Sequence, residues 1–111
     1  MTRPIRLLMM AVVQEQDVDL AERALGVLDV PVIHLSSAGG FLGRRNATLL
    51  IGLPDGEDEK VLLALRKSCR RRVEYLAIPL EGAPLPLPSP VPVTVGGASV
   101  FAIPVDRFEE L

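Results

Sequence analysis

Ile5-Arg-Leu-Leu-Met-Met-Ala-Val-Val13 is apolar throughout except for Arg6. A strand covered on both faces reads this way, so the stretch predicts the centre of a sheet. Gln14-Glu-Gln-Asp17 ends it, and Asp17 has the chemistry of a helix N-cap. Leu20, Ala21, Ala24, Leu25 and Leu28 then recur at helical spacing and predict one apolar face, with Glu22 and Arg23 on the other. Asp29-Val-Pro31 turns the chain into a second strand, Val32 to Leu35. Pro31 fits only its start or an edge. Ala47 to Leu53 is a third strand, stopped by the turn signal Pro54-Asp-Gly56.

The acidic run Asp55, Glu57, Asp58 and Glu59 has enough carboxylates for a metal, but it also suits the first turn of a helix, where the dipole favours negative charge. Val61, Leu62, Leu65 and Cys69 form that helix's buried stripe. Arg70-Arg-Arg72 reads as the positive complement at its C-terminal end, on a solvated surface. Val73 to Ile78 is a short strand. Six prolines between Pro79 and Pro92 predict a long extended loop. Val93 with Val95, Gly96-Gly97, and Ala98 to Ile103 read as two strands joined by a two-residue turn. Phe108 and Leu111, in a short tail, predict that the C-terminus docks on something. The sum is an α+β, ferredoxin-like (βαββαβ) sandwich with an added C-terminal β-hairpin. Two helices cover one sheet face, and the other face calls for a partner subunit.

A chain of 111 residues suits one domain, residues 1–111, with one core. A net charge of −2 offers no general attraction for nucleic acid or an anionic membrane. Leu7 to Val13 is too short to span a bilayer and leads into polar residues rather than a cleavage site. Cys69 is the only cysteine, which excludes an intrachain disulfide. These features predict a cytoplasmic protein.

The candidate site is the loop Ser36-Ser-Ala-Gly-Gly-Phe-Leu-Gly-Arg-Arg-Asn46. Gly39 and Gly40 allow a close approach to the main chain. Phe41 offers a stacking surface, and Arg44 and Arg45 are donors suited to phosphate. Together with the Asn46 amide they suit a nucleotide-like ligand, although the loop alone also reads as an ordinary connector. Catalysis has no comparable set. His34 is the one histidine and lacks metal-ligating partners, no Walker lysine follows the glycines, and the nearby serines form no triad spacing. No enzyme activity, metal or cofactor is predicted.

Four segments in this order resemble the PII-like cyclic di-AMP receptor proteins: Met10-Ala-Val-Val-Gln-Glu-Gln-Asp17, Gly39-Gly-Phe-Leu42, Asn46 with Thr48, and Val95-Gly-Gly-Ala-Ser-Val-Phe-Ala-Ile-Pro-Val-Asp106. The resemblance runs from about Ile5 to the C-terminus. It implies a ferredoxin-like homotrimer that holds cyclic di-AMP between subunits and signals to a downstream protein. By position, Gly40, Phe41 and Leu42 would line an adenine pocket, Asn46 would bond the ligand, Gly52 would offer main chain, and Phe101 would stack. Where the family pattern has asparagine, arginine and threonine, this chain has Asp29, Pro31 and Ile33. Glu110 stands where a glutamine is common. These departures keep two alternatives open, a sensor of ATP or AMP and a trimeric regulatory scaffold that takes no small ligand.

Overall fold

The computed structural model describes residues 3–36, 45–78 and 89–111. In chain order its elements are β1 (Leu7–Gln14), a 3-10 turn (Glu15–Asp17), α1 (Val18–Val27), β2 (Val32–Ser36), β3 (Asn46–Leu53), α2 (Asp58–Ser68), β4 (Arg72–Ile78), β5 (Ser89–Val95) and β6 (Ala98–Pro104). Four strands form one sheet in the order β2-β3-β1-β6, while β4 and β5 form a separate two-stranded ribbon. Every neighbouring pair is antiparallel. β1 is central, as its apolar run predicts.

The frame is two split βαβ units. β1 and β2 run parallel with β3 between them, and β3 and β6 run parallel with β1 between them. The α+β, ferredoxin-like reading holds, but two pairings differ from the expected ones. The strand beside β1 is β6, not Val73 to Ile78. The hairpin is β4 with β5, inserted between α2 and β6, rather than β5 with β6. Gly96 and Gly97 both have positive φ, 87° and 88°, yet they carry the chain from the ribbon into the sheet. A Cβ on Gly96 would lie 2.2 Å from the Arg70 carbonyl oxygen, so only glycine fits this passage.

The proline-rich stretch also differs from expectation at its end. Ser89 to Pro92 belong to β5, with Pro90 opposite Ala77 and Pro92 opposite Tyr75. A spacing of two puts both prolines on one edge of the strand. In a two-stranded ribbon that edge has no neighbour requiring an N–H.

The core lies between the helices and one sheet face. Met9, Ala11 and Val13 of β1 meet Leu49, Ile51 and Leu53 of β3 under Ala21 and Leu25 of α1 and Val61 and Leu65 of α2, all buried. Leu20, placed on the apolar face by spacing, is instead exposed, and Val18 takes the buried position. Helix α2 has Asp58 and Glu59 in its first turn and Arg66 and Lys67 in its last, as its dipole favours. It ends at Ser68, so Arg70-Arg-Arg72 is not its last turn. No helix among the described residues is long and apolar enough to cross a membrane.

Candidate functional site

Strand alternation divides the sheet into two unlike faces. On β3, Ala47, Leu49, Ile51 and Leu53 are buried under the helices, while Asn46, Thr48, Leu50 and Gly52 point the other way. Register extends this second face. Leu8, Met10, Val12 and Gln14 of β1 lie opposite Gly52, Leu50, Thr48 and Asn46. Phe101 and Ile103 of β6 pair with Met10 and Leu8, and Ile33 and Leu35 of β2 pair with Leu50 and Thr48. Ile33 is 60% exposed, Phe101 57% and Leu35 48%, so a broad apolar surface faces outward from the helices.

Three residues nominated from sequence, Asn46, Gly52 and Phe101, share this face. They do not share one pocket within the chain. Asn46 and Gly52 lie six residues apart along β3, roughly 20 Å at strand rise. Arg45 precedes the strand, and its carbonyl accepts the Glu15 N–H at 2.9 Å. Gly39, Gly40, Phe41, Leu42 and Arg44 lie outside the described residues.

At the Gly52 end the chain forms a cleft of about 590 Å³. Asp29 and Pro31, where the chain departs from the family pattern, and Gly52, which the resemblance ties to ligand contact, line it together with Glu110. Asp29 follows the last turn of α1 with φ 56°, a left-handed helix-ending conformation that aspartate and asparagine tolerate. The Pro31 carbonyl accepts the Gly52 N–H at 3.2 Å, which holds the floor of the cleft to its rim. A Cβ on Gly52 would come within 2.7 Å of the Ile5 side-chain end. Arg3 donates to Glu57 on the same wall, and that bond holds the Glu57 carboxyl below its usual range. Phe108 also lines the cleft and was not nominated from sequence. The sequence marks it only as an apolar residue of a tail expected to dock, not as a site residue.

At the opposite end of β1 the ribbon is tethered. Gln14 accepts the Gly96 N–H at 2.8 Å. Arg72 Nη2 donates to Asp17 Oδ1 at 2.9 Å, and Arg72 Nε donates to Glu74 at 3.1 Å. Asp17 holds the N-cap position of α1, as expected, but its side chain makes no capping hydrogen bond; it is fully buried and pairs with Arg72. Its Oδ2 has no hydrogen-bond partner among the described residues. The hydrogen bond from Arg72 to Asp17 raises the arginine further above its ordinary range. Arg72 is therefore structural rather than a solvated helix-end charge. His34 Nδ1 lies 3.3 Å from Glu22 on α1, and no group of three metal-ligating side chains occurs among the described residues.

The fold agrees with a solved structure. A solved structure from Pediococcus pentosaceus ATCC 25745, described as a functionally unknown protein, is similar over 96% of this chain and 98% of its own, with 32% identity and a TM-score of 0.76. A family model for cyclic-di-AMP receptors matches residues 6–111. By that match over nearly its whole length, the chain belongs to the PII-like cyclic-di-AMP receptor family.

Proposed function

We propose that the chain works as a cytoplasmic homotrimer that binds cyclic di-AMP between subunits and passes the signal to a protein partner without catalysis. One observation carries this reading: Asn46, Gly52 and Phe101 share the apolar sheet face that the helices leave open. One chain presents these groups without enclosing them, and a neighbouring copy would both cover the apolar surface and complete the walls. Within this reading Phe101 stacks on a base, Asn46 supplies an amide, and Gly52 allows a base close to the main chain. By the resemblance Gly40, Phe41 and Leu42 would line the adenine pocket, with Gly39 beside them in sequence, and Arg44 and Arg45 would serve as charge-assisted donors to phosphate. The downstream protein would distinguish the ligand-bound from the ligand-free state.

Light scattering and calorimetric titration test this together. The expected particle has three times the chain mass of 12.0 kDa and takes up one cyclic di-AMP per subunit. Phe101→Ala should weaken binding by roughly tenfold, the usual scale for losing one stacked base. A monomer at micromolar concentration, or a titration without heat and without a thermal shift, would overturn the reading.

A further inference from the structure

Helix α1 carries two apolar stripes rather than one. Val18, Ala21 and Leu25 are buried in the core. Leu20, Ala24 and Val27, spaced i, i+4 and i+7, form a second stripe beside them, and Leu20 and Val27 are exposed. On α2, Leu63 and Ala64 stand between Lys60 and Lys67. The two sets meet along a groove of about 480 Å³. Among the described residues its lining comes from α1, the C-cap Leu28 and α2 alone. It is apolar surface left over once the core is complete.

Charge marks the same place. Lys60, Arg66, Lys67, Arg70, Arg71 and Arg72 are six of the 12 basic residues, and no carboxylate interrupts the run from Lys60 to Arg72, in a chain of net charge −2. Lys60 pairs with Glu57 and Arg72 with Asp17. Arg66, Lys67, Arg70 and Arg71 are exposed and have no ion pair among the described residues. None of the helix carboxylates Asp19, Glu22, Asp58 and Glu59 lines the groove. An acidic chain thus carries a run of unpaired positive charge along the helix that forms one wall of an apolar groove.

The backbone decides the shape of the occupant. Helix N–H and C=O groups are bonded within each helix, so the groove offers an extended peptide no main-chain partners. A segment lying there must satisfy its own backbone, as a helix does. A nucleic acid would use the cations and leave the apolar groove wet. We propose that the groove between α1 and α2 docks an acidic amphipathic helix of a partner protein, with apolar side chains on Leu20, Val27 and Leu63 and carboxylates toward Lys67, Arg66 and Lys60. The proposed trimer covers the sheet face, so the helices stay reachable in the assembled protein. That accessibility rests on the proposed function, whereas the groove itself belongs to one chain.

Fluorescence anisotropy of the full chain with a labelled helical peptide of about 18 residues tests this. The peptide has leucines at i, i+4, i+7 and i+11 and glutamates at the flanking positions. Replacing its leucines by alanine, or its glutamates by lysine, should weaken binding by roughly tenfold or more. Leu63→Gln and Val27→Gln should each weaken it by roughly tenfold. Both positions are exposed and glutamine suits a helix, so the melting temperature should hold. Lys67→Glu should weaken binding by roughly threefold and flatten its salt dependence. Arg107→Gln, in the tail, should leave it unchanged. No binding of the leucine–glutamate peptide, or binding indifferent to Leu63→Gln and Val27→Gln, would overturn the proposal. So would a single-stranded oligonucleotide of the same charge that binds more tightly than the peptide. Light scattering of the same samples separates the two readings. A monomer that binds the peptide keeps the groove and overturns the trimer, and a trimer that ignores the peptide does the reverse.

Discussion

The two faces of the sheet are written in the same strands with nearly the same residue types, and they have opposite fates. Met9, Ala11, Val13, Leu49 and Ile51 sit under the helices and are buried. Their alternating neighbours Leu8, Met10, Val12 and Leu50 are only half-buried, and Ile33, Leu35 and Phe101 beside them are exposed. Hydrophobicity alone does not separate a core from a docking face. What separates them is whether the chain has enough other elements to cover both, and two helices cover one.

The largest expected effect breaks the covered face. Leu49 is fully buried in the middle of β3, and Leu49→Ala should cost about 3 kcal/mol of unfolding free energy through lost transfer energy and a residual cavity. Ile33→Ala on the open face should change the stability of the dissociated chain by less than about 0.5 kcal/mol. Denaturant melts at low protein concentration measure both. Equal costs would mean that the two faces are not as different as their exposure indicates.

Arg72→Met comes next. It leaves the fully buried Asp17 carboxylate without its cation, which costs about 3–5 kcal/mol for a wholly buried pair. Arg72 is 27% exposed, so solvent screening lowers the expected loss to about 2 kcal/mol. Gly96→Ala should cost a similar amount, about 2 kcal/mol, because φ is positive and the new Cβ meets a carbonyl oxygen. Both substitutions act where the ribbon joins the sheet. If the open face forms the proposed trimer independently of the ribbon, the oligomer mass should survive both.

Much of this architecture is legible in the sequence. The Ile5 to Val13 run marks the central strand, and period-two alternation of Ala47 to Leu53 already puts Gly52 and Asn46 on one side. The partner of each late strand is not legible. Gly96-Gly97 looks the same whether it closes a hairpin or passes the chain between sheets, because both require positive φ. Only the tertiary contacts with Arg70 and Gln14 decide between them. Arg72 reads as one of three surface arginines until Asp17, 55 residues earlier in the chain, is brought to it. Likewise, the spacing of Asp29, Gly52, Phe108 and Glu110 gives no hint that they line one cleft, since they come from three segments far apart in the chain.

The smallest effect on stability gives the sharpest view of the two faces. Cys69 is buried on the helix side, and burial pushes its thiol above the usual range. Both factors suppress the reactive thiolate, so a thiol reagent at neutral pH should label Cys69 only at the rate of opening of the covered face. A cysteine placed by Leu35→Cys on the open face starts from a half-exposed position and should change folding by less than about 0.5 kcal/mol. In a dissociated chain it should react freely. In the proposed trimer it should be protected, and protection should fall as the protein is diluted. Cys69 would stay unlabelled throughout, because its cover belongs to its own chain. Rapid labelling at position 35 at every concentration would mean that no second copy covers the open face, and the ligand contacts on that face would have to be completed in another way.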